Sequence, residues 1–282
     1  MSSIIQKVLN LLQLIVNLLH SFFQVFSKSI YQLCNDKGSL SYAASSVFHN
    51  FYNDGVRYLE IRSIPRPLND SCRPDQEGRA EEYVTTVLDS IDSFKAAEKE
   101  EEMSIYLILA IDRASCAKAG GGGEEEAYNI ANHTVDLAIK YRDRGVVGVD
   151  LCGNPNAGPG VSLFRDAFAK AKKVGGLGIT LHFAETDRPA AAADPVSSAA
   201  DELAVLLSYG PDRLGHVIHV PDNVKQEIAR RRLGLELCLS CNVHAKMIAG
   251  GGFIDHHFGY WRQVTDCPLA LCVGFESFHV YT

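Results

Sequence analysis

Gly178-Ile-Thr-Leu-His-Phe-Ala-Glu-Thr-Asp187 holds the plan of the chain in one short run. Ile179 to Leu181 reads as a short buried strand. The strand breaks into His182 and Glu185, two side chains that can bind a metal or move a proton. About thirty residues on, a second strand, Arg213-Leu-Gly-His216, ends the same way. In an extended segment side chains alternate, so positions three apart face opposite ways. A bend just past the strand would bring His182 and Glu185 into one pocket.

Outward from this stretch the pattern repeats. Strands are expected to begin near residues 56, 104, 146, 178, 213, 235 and 269, with a helix between most pairs. Strict alternation of strand and helix predicts a parallel sheet. The strands read as apolar on both faces, as when helices cover the outside. Polar residues gather at the strand ends: Glu60 and Arg62, Asp112, Asp150, His182 and Glu185, His216, Ser240 and Asn242. That placement predicts an α/β fold of the (β/α)8 TIM-barrel type, whose chemistry sits at the C-terminal ends of the strands. An open doubly wound sheet gathers its chemistry at one switch point instead.

Bulk properties bound the function. The 282 residues, 46% hydrophobic, suffice for one large core. A net charge of −7 points away from nucleic acid and from an anionic membrane as partner. Eight cysteines are scattered, several within apolar runs, which predicts reduced thiols in a cytoplasmic protein. Ile4 to Phe26 is strongly apolar, but Gln6, Asn10, Gln13, Asn17 and His20 recur at helical spacing as one polar stripe. A buried or partner-seeking amphipathic helix is the expectation there, not a signal peptide or membrane anchor. Helical patterning continues from Ser27 to Asn53.

Other motifs carry less. Cys238-Leu-Ser-Cys241, with His256 and His257, invites a zinc reading, yet a lone C-x-x-C is weak and adjacent histidines lack ligand spacing. The runs Gly120 to Gly123 and Gly250 to Gly252 lack a following Gly-Lys-Ser/Thr, so a phosphate-cradling loop is not expected.

Leu181-His-Phe-Ala-Glu185, followed after one helix by Asp212-Arg-Leu-Gly-His216, resembles the metal-dependent adenosine deaminase family. Val147-Gly-Val-Asp-Leu-Cys-Gly153 resembles that family's substrate-loop strand, and Asp54-Gly-Val-Arg-Tyr-Leu-Glu-Ile-Arg62 with Pro65-Arg66, Phe26 to Asp36, and Ser240-Cys-Asn-Val243 resemble its N6-methyl-AMP deaminase branch. The likeness runs over residues 22 to 272, with residues 1 to 21 a divergent hydrophobic helix in a single partial barrel domain. The resemblance implies a zinc cofactor and hydrolytic removal of an amine from C6 of a purine nucleoside or nucleoside monophosphate. By position it makes His182 a zinc ligand and Glu185 the acid that protonates the purine. It makes His216 the group that orients and helps deprotonate the metal-bound water, and Gly153 the residue that admits the purine to the backbone. Arg62 or Arg66 could contact a 5′-phosphate, with a surface or loop-packing role the equal alternative for either. A monomer is expected.

Two departures qualify this. The family's first strand carries a His-x-His pair, and none of the chain's ten histidines is so spaced. The family's eighth strand ends in Thr-Asp-Asp, whereas here Pro268-Leu-Ala-Leu-Cys272 passes into Val273-Gly-Phe275. The usual C-terminal helices would follow Thr282. The expectation is therefore an incomplete barrel with one of four zinc ligands, open at its first-strand edge, with weak or no deaminase activity. The alternative is a non-catalytic binding or hetero-oligomerising relative.

Overall fold

Alternating side chains in short strands set the architecture. In β1, Tyr58–Ser63, Leu59 and Ile61 face outward into the apolar core while Glu60 and Arg62 face inward. The computed structural model describes residues 31–97, 103–113, 123–155, 159–186, 199–275 and 278–281. The apolar stretch from Ile4 to Phe26 and the run from Gly120 to Gly122 lie outside them.

Six further strands follow in chain order: β2, Ser104–Asp112; β3, Val146–Cys152; β4, Gly178–Phe183; β5, Arg213–His216; β6, Gly234–Leu237; and β7, Leu269–Phe275. Each pairs in parallel with the next, for example Leu59 with Ile105, Val149 with Ile179 and Leu181 with Leu214. All seven expected strands are present, and the parallel ring is one short of eight. The gap was expected to stay open. Instead β8, Phe278–Tyr281, pairs antiparallel with both β7 and β1, so backbone pairing runs right round the ring. Those two edges thus have hydrogen-bonding partners, which removes the hazard of a bare strand.

The helices cover the outside. They are α1, Lys37–Asn53; α2, Gln76–Ala97; α3, Gly123–Lys140; α4, Arg165–Lys173; α5, Ala199–Ser208; α6, Asp222–Arg231; α7, Leu239–His244; and α8, Phe258–Trp261. Their buried residues recur every three or four positions, as Leu40, Ala44 and Phe48 do in α1, and join the outward strand residues in one core. The continuous helical pattern expected from Ser27 to Asn53 is broken. Asp36 accepts the Ser39 amide at 2.8 Å and the Ser39 hydroxyl accepts the Asp36 amide, a capping box that starts α1 afresh. Among the described residues no helix is long and apolar enough to cross a membrane. The seven cysteines in this set are free thiols, five of them buried.

The reading of the strands as apolar on both faces fails inside the barrel. The inward face carries Glu60, Arg62, Asp150, Thr180 and Glu236, all buried, beside a small cluster of Ile108, Cys238 and Cys272. The charges alternate. Arg213 lies 2.7 Å from Glu60 and 3.0 Å from Glu236. Arg62 lies 2.8 Å from Glu236 and 3.4 Å from Asp150. Thr180 also donates to Glu236, at 2.8 Å. Each buried charge therefore faces an opposite one, the condition for tolerating it at all. At the top of β3, Gly153 has φ +87°, and a Cβ there would stand 1.9 Å from Asp112 Oδ1.

Two stability effects follow. Arg62→Met should lower the unfolding free energy by about 3–5 kcal/mol in urea titration, because Asp150 and Glu236 lose their shared counter-charge. Gly153→Ala should cost about 1–3 kcal/mol through its left-handed backbone and the clash with Asp112. Adding Asp112→Ala should restore the steric part alone.

Candidate functional site

The bend that the spacing of His182 and Glu185 calls for is present. Ala184, just past β4, has φ +50°, and at the end of β5 His216 and Val217 have φ +64° and +48°. Such left-handed non-glycine residues cost roughly 1–3 kcal/mol each and persist only where the surroundings hold them. Here the two strand ends hold each other. The Val217 amide donates to the Phe183 carbonyl at 3.0 Å, and the Ile218 and His219 amides donate to the Ala184 carbonyl at 3.2 and 2.9 Å. The result is a cavity at the C-terminal end of the barrel lined by Arg113, Gly153, His182, Glu185, Glu202 and His219, among others.

His182 is oriented from below. Its Nδ1 lies 3.0 Å from Asp150 Oδ2 and 3.2 Å from Arg62 Nη1. The guanidinium can only donate, so Nδ1 accepts from Arg62 and the neutral ring carries its proton on Nε2, on the far side. Glu185 is buried, and burial raises its carboxyl pKa above the ordinary 4.5, opposed by the neighbouring His182 ring and the Arg113 guanidinium. His216 Nε2 stands 3.5 Å from Glu185 Oε1, and the His182 and His216 rings are 5.0 Å apart. His182, Glu185 and Gly153 thus line one cavity, and His216 stands against Glu185. The glycine is already required by Asp112, independently of any ligand.

Arg62 and Arg66 are committed elsewhere. Arg62 lies inside the barrel between Asp150 and Glu236. The Arg66 guanidinium lies over the rings of Tyr31, at 4.2 Å, and Tyr83, at 5.0 Å, and donates to the Tyr83 hydroxyl at 3.2 Å. Neither arginine stands free for a phosphate. Sequence reasoning missed Arg113 and Glu202, a buried pair 2.7 Å apart in the cavity wall. Arg113 directly follows Asp112 at a strand end, which was a usable signal. Glu202 lies within helix α5, where nothing marks it.

A zinc ion does not fit these residues. Among the described residues no group of three or more His, Cys, Asp or Glu side chains is placed to hold a metal, and a catalytic zinc needs three protein ligands. His182 has the Arg62 guanidinium beside it, and Asp150 already faces that cation. The Cys238, Cys241 and His256 grouping is no metal site either. Cys238 packs with Ile108 and Cys272 inside the barrel, while His256 bonds to Asn242.

Comparison with known proteins agrees with the fold. Residues 5–250 match the adenosine deaminase family. The N6-methyl-AMP deaminase of Danio rerio is 33% identical over 259 residues, covering 89% of this chain and 65% of that protein. The chain thus spans just under two thirds of that relative's length. The crystal structure of Arabidopsis ADAL complexed with GMP has a TM-score of 0.76 at 28% identity, covering 95% of this chain and 70% of that one. The complex of the same protein with IMP also gives 0.76, at 27% identity and with the same coverage. The chain belongs to the adenosine deaminase family, in its N6-methyl-AMP deaminase branch.

Proposed function

We propose that this chain is a purine-nucleotide-binding member of its family that does not assemble the zinc-dependent deamination centre from its own residues. The observation that carries this reading is the setting of His182. The Arg62 guanidinium and the Asp150 carboxylate share its Nδ1 side, and the other ligands of a metal centre are missing from the described residues. The ligand class follows from the relatives bound to GMP and IMP, both purine nucleoside monophosphates. In this reading Glu185 faces the purine ring, Gly153 admits it to the backbone, and His182 presents Nε2 to its edge. The second reading, hydrolytic deamination of N6-methyl-AMP or adenosine, is favoured by the survival of Glu185 and His216 side by side at the pocket.

Calorimetry with IMP, GMP and N6-methyl-AMP, metal analysis of the purified chain and an amine-release assay separate the two. The expected result is saturable binding of a purine monophosphate, far less than one zinc per chain and no amine release. Stoichiometric zinc with sustained turnover would overturn the binding reading.

Glu185 also makes stability depend on pH. Its folded pKa is raised above 4.5, so the native state holds the proton more tightly than the unfolded chain. The protonated carboxyl is accommodated at low pH, and stability falls as pH rises above 4.5 through the folded pKa. Glu185→Gln removes that slope. Urea unfolding at a series of pH values should show the variant gaining on the native chain as pH rises from 4 to 7.

A further inference from the structure

One line of hydrogen bonds runs from the backbone of α8 to the pocket, and its direction is fixed at one end. The Phe258 amide donates to His256 Nδ1 at 3.0 Å. A backbone N–H can only donate, so that nitrogen is unprotonated and the proton of His256 sits on Nε2. Burial lowers the His256 pKa, in keeping with a neutral ring. His256 Nε2 lies 3.2 Å from Asn242 Oδ1, which must then be the accepting carbonyl oxygen. The amide nitrogen of Asn242 is thereby turned to His216 Nδ1, at 2.8 Å, and to Met247 Sδ, at 3.7 Å, both acceptors. His216 Nδ1 accepts, so its proton is on Nε2, the nitrogen that faces Glu185 Oε1 at 3.5 Å. Asn242, His216 and His256 are all buried.

We infer that Asn242 and His256 are positioning residues that lock His216 in the Nε2–H tautomer, so that it acts on Glu185 as a hydrogen-bond donor. The family resemblance gives His216 the role of a base, which needs a lone pair on the nitrogen facing the pocket. The lock withholds that lone pair. Donation from His216 holds the Glu185 carboxyl in one orientation against a bound purine. That consequence rests on the pocket being the ligand site, whereas the tautomer itself does not.

The test uses nitrogen-15 NMR of the full chain without ligand, with His216 assigned by its loss in His216→Gln. In the native chain the lone-pair nitrogen of His216 should be Nδ1. Asn242→Asp offers only acceptors to Nδ1 and should move the proton there, so that the lone-pair signal passes to Nε2 or the ring becomes doubly protonated. His256→Leu frees the Asn242 amide to turn over and should give a mixture of tautomers. His256→Gln, which carries both a donor and an acceptor, should restore the native signal. Met247→Leu, which removes the sulfur acceptor of Asn242 but neither of its histidine bonds, should leave it unchanged. Calorimetry with IMP should show affinity about tenfold weaker, or 1.4 kcal/mol, in Asn242→Asp and near native in His256→Gln. A native His216 with its proton on Nδ1, or an Asn242→Asp variant with an unaltered His216 signal, would overturn the lock. Failure of the native chain to bind IMP would overturn the ligand reading and leave the NMR result to decide the tautomer.

Discussion

The buried guanidinium of Arg62 is the constraint around which this barrel is built. It sits on the inward face of the first parallel strand, 2% exposed, between Glu236 of β6 and Asp150 of β3, themselves 1% and 0% exposed. Strands that are not neighbours in the ring are thus tied across its interior by charge. A carboxylate or guanidinium taken from water into a protein interior costs several kcal/mol after relaxation, and only close opposite charge offsets it. The sequence of charges through the barrel, Glu60, Arg213, Glu236, Arg62 and Asp150, meets that condition at every step. Its upper end is His182, so the orientation of the candidate site is an extension of the barrel's own charge balance.

That coupling explains why the strand ends accept strain. Ala184, His216 and Val217 adopt left-handed backbone conformations that turn His182 and Glu185 into one cavity and set His216 behind Glu185. Neighbouring amides and carbonyls of β4 and β5 fix the turn, while the packed outer face, with Leu181, Phe183 and Leu214 fully buried, keeps the two strands from separating. Packing on one face of a strand and charge on the other therefore set the same geometry.

Much of this was legible in the sequence, and the gaps have physical causes. Seven strand starts, the helix between most of them and the polar strand ends follow from periodicity. So does the need for a bend between His182 and Glu185. The charged interior was not legible, because a strand of four to seven residues offers only two to four inward positions and their neighbours are strongly apolar. Glu236 sits between Leu235 and Leu237 and reads as a break in a buried run. The six residues Leu239–His244 make fewer than two helical turns, too few for a repeating pattern, and read as a strand end, although they form α7 and deliver Asn242. β8 reverses direction after Phe275, and a reversed strand has no helix before it to announce it. The packing role of Arg66 was open in the sequence but its partners were not legible, because Tyr31 and Tyr83, far from it in sequence, close over it only in the fold.

A buried carboxylate behind an imidazole is also how proteins orient a metal-binding histidine, so the Asp150–His182 contact alone does not separate coordination from hydrogen bonding. What separates them is the rest of the surroundings. A coordination cage gathers several lone pairs on one point. Here a guanidinium stands beside the oriented imidazole, and the second imidazole, His216, presents an N–H to the buried carboxylate Glu185. Donor and acceptor directions alternate across these groups, as the charges alternate beneath them. Such a surface is matched to the edge of a planar heterocycle, which itself alternates donors and acceptors, and is poorly matched to a bare cation.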